Sequence, residues 1–306
     1  MIAILLIKKI ISLFLLIGTG FLLVKARLLS EKDSRVLSAL CLYVSMPCMI
    51  LTAFQVELTG ELVRGLMLAV MASVLVNLGL VALVTPLAGL LRMNGVEAAS
   101  VIYSNAGNLV VPLVTTLLGK EWVIYSNVFL AVQMVFLWSH GKIIICGEKK
   151  PDWKRILKNI NMIAILTGAV CLALQIRFPF PFRDAMDAAG SMIGPLAMLV
   201  TGMLMGSMNW NQILGHRRVW GIAALRLAVV PLLATVFLKY SGLAAMAEEG
   251  EKILLIILIA VITPAASTIT QMAQMDGKDA EYAGIINVVT TVLCIFTMPV
   301  MVSLYQ

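Results

Sequence analysis

The chain has 306 residues, of which 61% are hydrophobic and only 13% are charged, and its net charge is +7. Soluble domains are about half apolar and about one quarter charged, so this composition excludes a soluble globular enzyme and a disordered chain. The five cysteines form no CxxC pair and the apolar runs are unbroken, which excludes a disulfide scaffold and an outer-membrane barrel. The sequence predicts an all-α polytopic membrane protein.

Apolar runs separated by charged or turn-rich segments predict ten membrane spans, since about 20 apolar residues cross a hydrocarbon core of ~30 Å. The first run leads into a charged segment without a cleavage site, so we expect it to remain as span one. No intervening segment is long enough for a soluble domain, and residues 1–306 are expected to form a single integral membrane domain. In chain order the spans are predicted at about 4–24, 36–54, 64–90, 98–118, 122–142, 159–176, 188–207, 219–238, 253–275 and 282–304.

Lysine and arginine residues are more frequent in the segments that follow spans one, three, five, seven and nine than in the other segments. Because cytoplasmic segments are enriched in these residues, both termini are predicted to lie outside the cytoplasmic membrane. The pair Lys8 and Lys9 opposes this orientation. Basic cytoplasmic segments that face anionic lipid explain the net charge, so the charge indicates no nucleic-acid partner.

Prolines within the spans indicate an internal repeat. An odd number of spans in each half places the second copy upside down in the membrane, which is the inverted-repeat plan of many secondary transporters. We therefore predict a five-plus-five inverted repeat, with repeat one at about 1–146 and repeat two at about 159–306. Three proline pairs in corresponding spans are 148, 145 and 152 residues apart, namely Pro47 with Pro195, Pro86 with Pro231 and Pro112 with Pro264.

Spans four and nine combine an interior proline with polar residues. In span four, Asn105 and Asn108 carry amides into the apolar run, and Pro112 removes a backbone donor. In span nine, Pro264 is followed by several polar residues. The candidates for a binding site are Asn105, Asn108 and Pro112 in span four and Pro264, Ser267 and Gln271 in span nine. Lipid cannot satisfy the freed backbone groups, so both segments are expected to face protein or a water-filled cavity.

Two interrupted helices in corresponding positions of inverted halves indicate a binding site near the middle of the membrane. Half-helix N-termini carry a partial positive charge, which favours a carboxylate ligand. Gln133, near the middle of span five, is a candidate for the same site. The alternative is two kinked helices whose polar side chains form structural hydrogen bonds between helices. Asn77 in span three and Asn287 in span ten are likewise candidates for structural hydrogen bonds between helices.

Arg226 is the only side chain expected to be charged well inside a span. A charge in the membrane interior is costly and is a functional candidate by default. Two roles are open. Arg226 is either a counter-ion for an anionic substrate, or a structural residue that extends to the interface or bonds free carbonyls at a broken helix.

All sixteen acidic residues lie between the spans or at their ends, and the two histidines lie near the cytoplasmic edge. An intramembrane aspartyl protease therefore lacks its carboxylate pair, and no HExxH motif indicates a zinc site. No P-loop or GxGxxG motif is present. We expect a protein that is not an enzyme, without catalytic residues, bound metal or cofactor.

Several segments in order resemble one family. They are GTGFLLVKARLLSEKDSRVLS after span one, LCLYVSMPCMIL in span two, SNAGNLVVPLV in span four, GPLAMLVTGMLMG in span seven and TPAASTITQMAQMDGKDAEYAG in span nine. With these segments the chain resembles the auxin efflux carrier family of membrane transport proteins. The short segment between spans five and six is similar to that of the bacterial members rather than the plant carriers.

The resemblance implies two proline-broken helices, spans four and nine, that cross near the middle of the membrane. Asn105 lies seven residues before Pro112, the Asn-to-Pro spacing of the family crossover, which implies a substrate role for it. Pro112 and Pro264 match the crossover prolines, and Gln133 matches a supporting glutamine. Asn108 departs from the small or apolar residues of many bacterial members, and so does Val111.

The resemblance also implies a scaffold of spans one, two, six and seven that forms a homodimer, and a mobile unit that carries an organic anion as an elevator. Our hypothesis is a secondary transporter, or permease, for a small organic anion such as a carboxylate. Sodium or a proton as the coupling ion, and uniport, remain open. The alternatives are a sodium-coupled ten-span symporter of the bile-acid type and a membrane receptor or regulator that binds the ligand without transporting it.

Overall fold

The computed structural model describes four stretches of the chain, residues 2–147, 153–207, 215–275 and 277–305. These residues are almost entirely helical, and within them the only β-structure is an isolated antiparallel bridge between Ser104 and Ala265. The prediction of an all-α protein is therefore confirmed for this part of the chain.

The first half of the chain contains eight α-helices and shorter helical turns among the described residues. The α-helices are Ile2–Lys25, Glu31–Leu40, Met46–Ala53, Gly60–Leu90, Gly95–Ile102, Val111–Leu117, Val123–Phe136 and Lys142–Cys146. The π-helical turns are Cys41–Ser45, Ala106–Val110 and Leu137–Gly141, and Lys120–Trp122 is a 3₁₀-helix.

In the second half, the described residues form nine further α-helices with one π-helical turn and one 3₁₀-helix. The α-helices are Trp153–Lys158, Ile160–Ala173, Phe180–Ser191, Ile193–Ser207, Arg217–Ala224, Val230–Tyr240, Gly250–Val261, Ser267–Met275 and Ala280–Tyr305. The π-helical turn is Leu225–Val229, and the 3₁₀-helix is Leu243–Met246.

Three of the π-helical turns end two residues before a proline, namely Pro47, Pro112 and Pro231. A proline has no N–H to bond to the carbonyl four positions earlier, so the regular ladder of hydrogen bonds fails there. At two of these turns a backbone N–H instead bonds to the carbonyl five positions earlier. These bonds run from Met46 N–H to Cys41 O and from Val230 N–H to Leu225 O. The prolines thus widen these helices rather than end them.

Five helical segments in the described residues are long and apolar enough to cross a membrane: Lys32–Ala53, Gly60–Leu90, Lys120–Cys146, Phe180–Ser207 and Arg217–Tyr240. They correspond to predicted spans two, three, five, seven and eight. This is the architecture of a multi-pass membrane protein. Predicted spans four and nine are too interrupted to qualify, and the described apolar helices of spans one and six are shorter.

A sixth candidate is the terminal helix, which corresponds to predicted span ten. Its parts Ala280–Cys294 and Phe296–Tyr305 are bent by 57°. The bend lies at residue 295, four residues before Pro299. The ring of a proline crowds the carbonyl at that position, which accounts for the bend. A complete set of ten spans stays a prediction.

Backbone packing divides the chain into two compact units. The first consists of Met1–Gly60, Gly107–Asn127 and Leu157–Trp210, and therefore contains predicted spans one, two, six and seven and the second half of span four. The second consists of Glu61–Ala106, Val128–Ile156 and Asn211–Gln306, and contains spans three, eight, nine and ten, the first half of span four and most of span five, whose first residues, 122–127, belong to the first unit.

In the first unit, the helix Ile2–Lys25 packs closely along Ile193–Ser207. Glycines make this approach possible. A Cβ added at Gly20 would meet the carbonyl of Leu199, and one added at Gly202 would meet the carbonyl of Ile17. Small residues are the usual means by which membrane helices bring their backbones together.

In the second unit, the helix Gly250–Val261 lies in the interior. Every residue from 253 to 261 is buried, and the helix packs against Val230–Tyr240 and Ala280–Tyr305. A helix that is apolar on all sides is suited to such a position. Its C-terminal end is therefore surrounded by protein, and this is where the chain is interrupted.

Candidate functional site

Both predicted spans are interrupted, and both breaks lie in the second unit, but the break in span four precedes Pro112 by seven residues and the helix continues through that proline. The first break, residues 103–105, follows the helix Gly95–Ile102. The second break, residues 262–266, separates Gly250–Val261 from Ser267–Met275. Each short helix ends at the point where its span becomes polar.

The two breaks are hydrogen-bonded to each other. The N–H of Asn105 donates to the carbonyl of Pro264 at 2.9 Å, and the N–H of Ala266 donates to the carbonyl of Tyr103 at 3.1 Å. These are the two bonds of an antiparallel β-bridge. Tyr103 and Pro264 are buried, so protein rather than lipid takes up the backbone groups that the interruptions free. The sequence-based expectation for these segments is confirmed.

Gln133 completes the hydrogen bonding on the other edge of the first break. Its Oε1 accepts from the N–H of Ser104 at 3.1 Å and from the Ser104 hydroxyl at 2.6 Å. Its Nε2 donates to the Ser104 carbonyl at 2.7 Å. The amide of Gln133 thus bonds the backbone of Ser104 as a neighbouring strand would. Both residues are at most 5% exposed.

The second break is satisfied in a corresponding way by the last helix. The hydroxyl of Thr290 accepts from the N–H of Ala265 at 3.2 Å, and Nδ2 of Asn287 donates to the carbonyl of Ala265 at 2.6 Å. In each break, the central residue therefore has both backbone groups bonded by side chains of the span that follows it. Asn287, for which a structural hydrogen bond between helices was one expectation, forms this bond at the break.

Arg226 joins the C-terminal ends of both interrupted helices. Its Nη1 donates to the carbonyls of Val101 at 3.0 Å and Ile102 at 3.3 Å. On the other side, Nε and Nη2 donate to the carbonyl of Thr263 at 3.1 and 2.8 Å, and Nη2 also donates to the carbonyl of Val261. The side chain is completely buried.

These contacts engage the whole guanidinium. A guanidinium has five N–H donors, and Arg226 makes five hydrogen bonds, all of them to backbone carbonyls. Of the two roles that the sequence leaves open, the structure shows bonds to the free carbonyls of broken helices. A direct contact with a substrate would require one of these bonds to be replaced.

Asn105, Pro264 and Ser267 lie at the breaks themselves. Asn105 is half-buried, and its backbone N–H rather than its side chain forms the bridge. Ser267 is half-buried and is the first residue of the helix Ser267–Met275, whose N-terminal end carries a partial positive charge. Asn105 and Ser267 are thus the predicted site residues at the breaks that remain partly accessible.

For the other predicted site residues, the structure describes the backbone but not the side chain. The backbones of Asn108 and Pro112 belong to the second half of span four, in the first unit, and their side chains lie outside the described residues. Gln271 is in the second turn of Ser267–Met275, and its side chain also lies outside them. Their substrate roles stay predictions.

Tyr103 links the first break to span five through its side chain. Its hydroxyl lies 3.0 Å from the carbonyl of Phe136 and 2.8 Å from Nδ1 of His140. A carbonyl only accepts, so an arrangement in which the hydroxyl donates to Phe136 O and His140 Nδ1–H donates to the hydroxyl satisfies all three groups. Gly141 leaves room for the ring, because a Cβ there would lie 2.9 Å from Cε2 of Tyr103.

A buried carboxylate holds the beginning of Gly95–Ile102. Glu97 is 1% exposed, and Arg218 donates to both of its oxygens at 2.8 Å. The Tyr282 hydroxyl donates to it at 2.8 Å. Burial alone raises the pKa of Glu97, but hydrogen bonds from Arg218 and the backbone of Asn94 outweigh burial and lower the pKa below its ordinary value. Glu97 is therefore ionised and joins the segments before spans four, eight and ten.

Sequence reasoning missed the part of Ser104 and Thr290 in the breaks, and it did not assign Asn287 to a break. Ser104, Thr290 and Asn287 are needed because each break exposes a strand-like edge, and this edge becomes visible only when the two breaks are paired. One signal was available. Asn287 and Thr290 are spaced by three residues in an apolar span, which places them on one helix face. Within the described residues, no group of three or more potential ligands is arranged to hold a metal ion.

Comparison with protein families identifies the group to which this arrangement belongs. A family described as membrane transport protein matches residues 5–151 and 148–302, which together cover nearly the whole chain. The chain belongs to this family. It is the auxin efflux carrier and membrane transport protein family that the sequence resembles, and its members are transporters rather than enzymes. None of the curated proteins compared with the chain matches it significantly.

Proposed function

We propose that this membrane transporter is a secondary permease for a small organic anion, such as a carboxylate, which it moves across the cytoplasmic membrane by elevator-type alternating access. The observation that carries the proposal is the buried bridge between the two helix breaks. Irregular backbone is tolerated inside a membrane only where protein or a cavity surrounds it, and such paired breaks are typical of transporter binding sites.

The proposal includes ten spans in a five-plus-five inverted repeat, with repeat one at about 1–146 and repeat two at about 159–306. The matching support of the two breaks favours it. In each repeat the fourth span is interrupted, and side chains of the fifth bond both backbone groups of the residue at the centre of the break. Gln133 does so in the first repeat, and Asn287 with Thr290 does so in the second.

The division of the chain into two compact units is consistent with an elevator. Spans one, two, six and seven, the scaffold that the resemblance implies, fall in the first unit, and spans three, eight, nine and ten with most of span five fall in the second. Residues 107–127 differ from the implied division because they fall with the scaffold spans. We propose a homodimer formed by the scaffold.

The substrate is proposed to bind beside Asn105 and the beginning of the helix Ser267–Met275, with Gln271 as a further contact. A substrate role for Asn108 stays a separate prediction. Gln133 and Pro264 would form the framework, because both are buried and bonded to the breaks. The positive end of the helix and a lack of carboxylates in the spans favour an anion.

The residues around Glu97 support the membrane topology on which the proposed orientation depends, whereas the choice of side, with both termini outside, rests on the distribution of lysine and arginine. Arg218 bonds both Glu97 and the carbonyl of Arg92, and Tyr282 bonds Glu97. These residues come from the segments after spans three, seven and nine, which the orientation places together on the cytoplasmic side. An arrangement with these segments on opposite sides is incompatible with the contacts.

Reconstitution into proteoliposomes tests the function. We expect saturable uptake of radiolabelled malate or of another dicarboxylate that stabilises the purified protein in a thermal-shift assay, with competition by carboxylates but not by neutral diols. Stabilisation without uptake would instead indicate a receptor or regulator. A strict requirement for sodium would favour a symporter of the bile-acid type. Neither uptake nor stabilisation by any carboxylate would contradict an organic-anion site.

A further inference from the structure

Arg226 occupies a position that has a specific meaning in transporters with broken helices. The C-terminal end of a helix leaves carbonyls without partners and carries a partial negative charge. In inverted-repeat transporters such ends coordinate the coupling Na⁺ or H⁺. Here two such ends, those of Gly95–Ile102 and Gly250–Val261, direct their carbonyls at one guanidinium.

We propose that Arg226 is a resident cation that takes the place of a coupling sodium ion between the two helix ends. The inference rests on the proposed transport function and deepens it. Four carbonyl oxygens, those of Val101, Ile102, Val261 and Thr263, surround the guanidinium and use all five of its donors. A sodium ion cannot bind to these oxygens while the side chain is in place, so transport is independent of sodium.

The same contacts make Arg226 a positioning residue rather than a direct ligand. The side chain is 0% exposed and has no donor left for a substrate. Its charge offsets the negative ends of the two helices that precede the breaks. The positive end of the following helix, Ser267–Met275, is then the dominant helix charge at the breaks, and this sets the preference for anions.

Chemical rescue tests the position of the cation. Arg226→Ala removes the guanidinium and leaves the four carbonyl oxygens around a cavity. We expect a lower melting temperature in a thermal-shift assay and a partial recovery in millimolar guanidinium or methylguanidinium. The wild-type protein, as the matched control, should not respond to either compound. A variant that melts like the wild type, or one whose lowered melting temperature neither compound raises, would overturn the proposal.

Arg226→Lys keeps the inference testable if the alanine variant does not fold. The ammonium keeps the charge but has three donors instead of five. We expect a folded protein with a lower melting temperature that still prefers carboxylates to neutral diols in the thermal-shift assay. The Arg226→Met variant, which has no charge, should lose that preference. Equal preference in Lys and Met variants would overturn the role of the charge.

The wild-type protein provides the last test. Malate uptake should be equal within about twofold when sodium is replaced by potassium or choline at constant ionic strength, because the carbonyls that would bind sodium are occupied. Uptake that falls more than about tenfold without sodium would overturn the proposal. Rescue of Arg226→Ala by guanidinium does not depend on transport. Rescue without transport of any anion would support Arg226 as the cation between the helix ends and would contradict the proposed function.

Discussion

Replacing Asn105 by alanine is expected to reduce anion uptake at least about tenfold while the protein stays folded. The side chain of Asn105 is half-buried at the first break, whereas its backbone N–H forms the bridge to Pro264. Alanine keeps that N–H, so the bridge should remain. A hydrogen bond to a charged group contributes about 1.5–3 kcal/mol, which corresponds to about 10- to 100-fold in binding. Initial rates of malate uptake into proteoliposomes measure the effect.

Asn77→Ala is the matched control. Asn77 is a buried amide within a span of the same unit, and within the described part of the chain it bonds to the carbonyl of Ser73, four residues earlier in its helix. We expect this variant to keep its uptake to within about threefold, since a local bond is worth about 1 kcal/mol. Normal uptake by Asn105→Ala would remove Asn105 from the substrate site. Equal losses in both variants would point to a general effect of amide removal.

Replacing Gln133 by leucine is expected to lower the stability of the protein by about 2–6 kcal/mol. The N–H and the carbonyl of Ser104 would both lose the partner that Gln133 provides, and each buried unsatisfied group costs about 1–3 kcal/mol. Leucine has a similar volume, so cavity formation contributes little. Urea titration in mixed micelles, or the melting temperature, measures the change.

Ser126→Ala controls for the loss of a buried polar group in the same helix. The hydroxyl of Ser126 is buried and bonds to the carbonyl of Val123, three residues earlier. Its removal should cost about 1 kcal/mol or less, because the bond that it loses is local to its own helix. A Gln133→Leu protein as stable as Ser126→Ala would show that the break does not depend on Gln133.

The helical class, the positions of the two breaks and the involvement of Gln133 could be predicted from the sequence. Each depends on information that is local in the chain. Apolar runs define the spans, Asn105 marks the first interruption and Pro264 lies in the second, whereas Pro112 lies in a helix that continues after the first break. Gln133 stood out because a lone polar residue in an apolar span needs a partner.

The pairing of the breaks could not be predicted in detail because it depends on contacts between distant segments. Ser104 and Ala265 are unremarkable small residues in the sequence, yet they lie at the centre of the bridge. Thr290 is one of several threonines in the terminal span, and only the exposed edge of the second break gives it a role. The five bonds of Arg226 likewise involve carbonyls, which every residue has and no sequence pattern reveals.

An experimental structure of the protein with a stabilising dicarboxylate bound would show whether the two breaks form the substrate site. We predict a carboxylate oxygen within hydrogen-bonding distance of the Asn105 amide, next to the beginning of the helix Ser267–Met275, with Arg226 still bonded to the carbonyls of both helix ends. An anion bound away from both breaks, or an Asn105 side chain directed at the acyl chains, would contradict the proposed transport site.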